Sequence, residues 1–99
     1  MNNQLVEWAE HQARLHQVLT NPRRVLILHA LANQELSVGE IAARIDTSLQ
    51  NTSQHLRLMR DRGILDSRRD GQTIYYWICD RSVLPDRKST RLNSSHVSQ

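Results

Sequence analysis

Two helix starts lie close together in the middle of the chain, and they leave little freedom for what surrounds them. Ser37 followed by Glu40 fits a capping box, in which the serine oxygen accepts from the first turn and the glutamate reaches back to the cap. Thr47 followed by Gln50 repeats that arrangement. Ile41, Ala42 and Ile45 mark the apolar face of a helix of barely two turns, which Asp46-Thr47-Ser48 then breaks. The next helix is predicted to begin at Ser48 or Leu49 and to run to Arg62, where Gly63 supplies the stop. Two helices joined by three polar residues is the spacing of a helix-turn-helix.

The flanking segments extend this unit on both sides. Residues 4 to 19 place Leu5, Trp8, Ala9, Leu15, Val18 and Leu19 at three- and four-residue spacings, which suits one or two amphipathic helical segments. Asn21-Pro22 offers an N-cap followed by proline at the first helical position, where its missing N–H costs nothing. The helix it opens is densely apolar through Val25, Leu26, Leu28, Ala30 and Leu31, so burial on more than one side is expected, with an end near Asn33-Gln34. From Ile64 to Ile78, Asp70-Gly71 divides two runs, the second strongly β-prone, which signals a hairpin. The expected fold is α+β and mainly α: four helices followed by a β-hairpin wing.

A chain of 99 residues holds one core. It carries no run near the roughly 18 apolar residues that span a bilayer and no basic-then-apolar leader, so a cytoplasmic protein without membrane contact is expected. The single cysteine, Cys79, has no partner for a disulfide, and no Cys/His cluster at zinc spacing occurs, so neither cofactor nor structural metal is expected. The formal charge of +3 is uneven. Between residues 48 and 76, Arg57, Arg60, Arg62, Arg68 and Arg69 outnumber Asp61, Asp66 and Asp70. No phosphate-cradling glycine loop and no specific nucleophile-base pair is present, and no enzyme is expected.

After Pro85 the chain turns polar and serine-rich. Asp86 to His96 reads DRKSTRLNSSH, the translation of a widely used sequencing-library adapter. The expected division is therefore a domain over 1-85 and a non-native tail over 86-99, with the native C-terminal end missing.

Winding residues 48 to 62 as an α-helix puts Leu49, Thr52, Leu56 and Met59 against the core. The other side presents Gln50, Asn51, Gln54 and Arg57, with Ser53 at its flank. Amide side chains can bind adenine edges in the major groove, so Gln50, Asn51 and Gln54 are the base-reading candidates. Ser48, Ser53 and Arg57 suit phosphate contacts, which position a helix without reading sequence. His55 lies between the two faces and fits either a structural role or a DNA contact. Arg68 and Arg69 before the hairpin tip, and Gln72 after it, are placed to reach an adjacent minor groove or its phosphates. A solvated polar face is the competing reading for all of these. Of Tyr75, Tyr76 and Trp77, alternation should turn one set toward a core that has no phenylalanine. His11, His16 and His29 read as surface or packing histidines, and Cys79 as a structural thiol or, with an exposed thiolate, a sensing one.

The pieces NPRRVLILHAL, ELSVGEIAARI, SLQNTSQHLRLMRDRGIL and SRRDGQTIYYWI, in this order and spacing from Asn21 to Ile78, resemble the ArsR-type (ArsR/SmtB) repressors. That resemblance implies a winged helix-turn-helix homodimer that leaves a pseudo-palindromic operator in double-stranded DNA when a metal, redox or sulfur-species signal arrives. It also implies a dimer interface formed by the first and last helices, with Leu5, Trp8 and Leu15 on the first, while the final dimerisation helix falls in the missing stretch. The cysteine pair of arsenic-type members is absent, since that region reads Leu36-Ser37-Val38-Gly39. SVGEIA with RRDGQTIYY is most similar to the biofilm- and sulfide-responsive branch, with His29 near the place of that branch's first cysteine. The alternative to a DNA reader is a winged-helix module whose Arg57, Arg68 and Arg69 surface meets an acidic protein. The inducer and the operator are not written in the sequence.

Overall fold

The computed structural model describes residues 3–84. The expected tail, 86-99, lies outside the described residues. A long helix α1 (Asn3–Leu19) is followed by α2 (Pro22–Ala30), a two-residue strand β1 (Leu36–Ser37), α3 (Val38–Ile45), α4 (Leu49–Asp61), and the hairpin of β2 (Leu65–Asp70) and β3 (Thr73–Ile78). A short 3-10 turn at Arg81–Val83 is the final element among the described residues. This is a winged helix-turn-helix, α+β and mainly helical.

The local stop and start signals act as the residue types dictate. Asn21 caps α2 by accepting from the Arg23 amide at 2.9 Å, with Pro22 at the first position. Ser37 and Glu40 form both halves of the capping box, at 3.1 and 2.9 Å. Asp46 ends α3 in the left-handed conformation, φ 55°, which a short polar side chain tolerates. The cap of α4 is Ser48, which accepts from the Asn51 amide at 3.1 Å, and not Thr47 as the sequence pattern suggested. The Thr47 hydroxyl instead donates to the Ile45 carbonyl at 3.2 Å. Gly63 takes φ 81° just beyond α4, where any other residue would be strained.

The core gathers Val18, Ile27, Leu31, Ile41, Leu56, Met59, Ile64 and Leu65, all at most 2% exposed. α2, α3 and α4 pack around it, and the sheet closes one side with order β1-β3-β2, all antiparallel. Leu65, Tyr76 and Ile78 lie on the buried face of the sheet. Tyr76 alone of the three neighbouring aromatics is in the core; Tyr75 and Trp77 alternate onto the other face and are half-buried.

Five expectations need correction. α2 ends at Ala30, where the bonds from Leu31 to Ile27 and from Ala32 to His29 tighten and close its last turn. Only one side of α2 is buried: Val25 and Leu26 are exposed because nothing among the described residues packs over them. Leu49 is 59% exposed, since the first residue of α4 projects past the core that its helical face implied. β1 was not foreseen, because two residues carry no alternation. The hairpin loop is Gly71-Gln72, one step later than Asp70-Gly71, because Asp70 pairs with Thr73. Gly71, at φ 66°, holds the positive-φ place of a II′ loop.

Candidate nucleic-acid interface

α4 is fixed by its apolar side and free on its polar side. Thr52, Leu56 and Met59 are fully buried, which locks the rotation of the helix about its axis. Gln50, Asn51, Gln54 and Arg57 are exposed on the opposite side. Their side chains have no hydrogen-bond or ionic partner among the described residues, so their donors and acceptors are available to a ligand. Ser53 is half-buried at the flank, and Ser48 sits at the N-cap with its hydroxyl oxygen already accepting.

His55 is half-buried and tied inward. Arg24 on α2 donates from Nε to His55 Nδ1 at 3.3 Å, which leaves the ring's proton on Nε2. Burial, then the charges of Arg24 and Arg23, hold its pKa below the ordinary histidine value. A structural role is therefore built in, whatever else the ring does. Arg23 and Arg24 were not among the residues singled out in the sequence, since nothing in the helix start points to α4. Only folding brings them to α4 and to Thr47, whose hydroxyl accepts from Arg23 Nη1.

The arginines of the basic stretch separate into distinct states. Arg57 and Arg69 have no partner among the described residues. Arg60 donates to Ser67 at 3.3 Å and Arg62 to Gln17 at 3.1 Å, neutral groups that leave both charges uncompensated. Arg68 is different. Its Nε and Nη2 donate to the two oxygens of Glu35, each at 3.0 Å, and its guanidinium lies 4.5 Å from the centre of the Tyr75 ring. The Arg68 bond holds the Glu35 carboxyl below its ordinary value. Alternation places Arg68 on the outer face of the wing with Tyr75, and Arg69 on the face shared with Ser67, which looks toward α4. The candidate pair thus splits: Arg69, with Gln72 in the loop, is open to a ligand, and Arg68 is already engaged.

The other candidates fall elsewhere. Leu5 and Trp8 are 53% and 60% exposed near the start of α1, whereas Leu15 is 6% exposed and packs in the protomer's own core. Cys79 is exposed at the end of β3, with its thiol donating to the Gly63 carbonyl at 3.3 Å. His11 bridges α1 to Asp80 at 3.3 Å and Ser82 at 3.2 Å; His16 and His29 are exposed. Among the described residues no three His, Cys, Asp or Glu side chains are grouped to hold a metal ion. No helix there is long and apolar enough to cross a membrane.

Comparison with known proteins agrees with this fold. A family model described as "Bacterial regulatory protein, arsR family" matches residues 21–67. The chain is 42% identical to the HTH-type transcriptional regulator YgaV of Escherichia coli K12, over 81% of this chain and 82% of that protein. It is 40% identical to nodulation protein NolR of Rhizobium meliloti over 79% of this chain, and spans 64% of NolR's length. Its fold superimposes with TM-score 0.73 and 27% identity on the homodimeric winged helix-turn-helix DNA-binding domain Mb0332 of Mycobacterium bovis, described as a possible ArsR-family regulator, covering 99% of this chain and 92% of that one.

Proposed function

This chain belongs to the bacterial arsR family of regulatory proteins, and from that premise we propose that it is a sequence-specific DNA-binding transcriptional regulator, a homodimeric repressor acting in the cytoplasm and not an enzyme. The observation that carries the reading is the polar side of α4: three amide side chains and an arginine, exposed and without a partner among the described residues, on a helix whose rotation is locked by Thr52, Leu56 and Met59. A helix about 10–12 Å across fits the major groove, and a locked helix presents its amides to base edges at a fixed angle. Gln50, Asn51 and Gln54 read bases; Ser48, Ser53, Arg57, Arg69 and Gln72 hold phosphates or the neighbouring minor groove. The exposed Leu5 and Trp8 on α1 support self-association, and two-fold symmetry then matches an operator with half-sites about one helical turn apart. Release follows a metal, redox or sulfur-species signal.

The test is a fluorescence-anisotropy titration on the gene's own upstream region and on a scrambled duplex, at two salt concentrations. Tight binding to the upstream duplex, with weak and salt-sensitive binding to the scrambled one, is expected. Gln54→Ala should then lose roughly 1–3 kcal/mol on the upstream duplex alone. Equal losses on both duplexes would remove base reading from Gln54. Absence of binding at either salt would replace DNA with a protein partner for this surface.

A further inference from the structure

Arg23 and Arg24 stand where helix electrostatics disfavour them. Both lie in the first turn of α2, at the positive end of its dipole, and no acidic residue occupies that turn. Arg23 reaches Thr47, next to the N-cap of α4, whose first turn also lacks an acidic residue. Arg24 reaches His55 on the same helix. Two cations that start from the N-terminus of α2 therefore meet α4, Arg23 beside its N-terminus and Arg24 against its middle. Among the described residues neither is in an ion pair, the only such pairs being His11 with Asp80 and Arg68 with Glu35. Burial first, and then these two charges, push His55 toward its neutral form.

An anion would relieve every part of this arrangement. Local rules broken without compensation inside a fold are expected where a ligand supplies the compensation. The anion's chemistry follows from the neighbours. Gln50 and Asn51 lie within one turn of Ser48 and Gln54 within two, so with α4 seated in a groove the elements touching its N-terminus lie against the sugar-phosphate wall. Resting on the DNA-binding reading above, we propose that Arg23 and Arg24, steadied by Thr47 and His55, each hold a DNA backbone phosphate beside the bases that α4 reads. In this arrangement His55 is a positioning residue, holding the Arg24 side chain against α4, and Thr47 does the same for Arg23.

The experiment measures the salt dependence of binding by the full 99-residue chain to a random-sequence duplex. Each phosphate that a variant no longer neutralises lowers the slope of log K against log salt by about 0.9. Arg23→Ala should show that decrease, Arg23→Lys should restore the slope, and Arg14→Ala on α1 should leave it unchanged. The double variant of Arg23 and Arg24 to Ala should fall by about twice as much. Should Arg24→Ala fail to fold, exposed Arg23 alone decides the matter. A wild-type slope in Arg23→Ala, with wild-type protein binding normally, would overturn the phosphate site and leave the DNA-binding reading intact. A wild-type protein that binds no duplex even at low salt would overturn both.

Discussion

The guanidinium of Arg68 and the carboxylate of Glu35 meet in a two-pronged pair, both contacts at 3.0 Å, across the Tyr75 ring of the central strand. The pair joins the outer strand of the wing to the residue that leads into β1, so it stiffens the wing and occupies the arginine at once. A phosphate would have to displace a carboxylate already in fork geometry. Arg68→Ala should therefore leave the salt dependence of duplex binding close to wild type, while Arg69→Ala lowers the slope by about 0.9. Anisotropy titrations over a salt series measure both, and equal decreases would mean that DNA pulls Arg68 away from Glu35. The sign with pH follows from the lowered Glu35 pKa: the pair contributes above the ordinary carboxylate range and its contribution is lost as pH falls through the folded-state value.

Thr52 is fully buried in α4 and its hydroxyl has no hydrogen-bond partner among the described residues. A buried unsatisfied polar group costs about 1–3 kcal/mol, and valine has the same shape without it. Thr52→Val should raise stability by about 1 kcal/mol, which shifts the thermal midpoint up by a few degrees. A lowered midpoint would mean that the hydroxyl has a partner in solution.

His55 titrates below the ordinary histidine value of 6.5 because of its burial and of Arg24 and Arg23. The unfolded chain lacks those influences and takes up the proton first. Stability from this group is therefore fully present above the unfolded-state value and is lost as pH falls through the folded-state one. Denaturant midpoints taken at about pH 8 and about pH 5.5 should drop more in wild type than in His55→Gln. Equal drops would assign the acid sensitivity to other groups.

Leu15 and Trp8 share a face of α1 by periodicity but not by environment, at 6% and 60% exposure. Leu15→Ala should destabilise the protomer by roughly 2–5 kcal/mol through the cavity it leaves. Trp8→Ala should spare the protomer and weaken self-association, as measured by sedimentation equilibrium. An unchanged association constant would move the dimer contact away from Trp8.

The features readable from sequence were those set by neighbours a few residues apart. Ser37 with Glu40, Asn21 with Pro22, and Gly63 beyond α4 each satisfy or release backbone groups within one turn, so their chemistry is complete in a short window. The same holds for the face of α4: burying Thr52, Leu56 and Met59 leaves Gln50, Asn51 and Gln54 outward by helical geometry alone. Periodicity failed where it had to state how far along a helix the core extends. It grouped Leu15 with Trp8, and Leu49 with Leu56, though only the part of each helix that lies over other elements is covered.

Sequence by itself therefore determined the order of elements, their starts and stops, and the outward side of α4, because capping, turn and wheel geometry are short-range. Only the tertiary structure decided which arginines of the net-basic stretch from 48 to 76 are engaged and which are open. Arg68 finds Glu35 33 positions away, Arg24 finds His55 31 away, and Arg23 finds Thr47 24 away. Pairings at such separations exist only after the hydrophobic core has drawn α2, α4 and the wing together, and no local pattern of residue types encodes them.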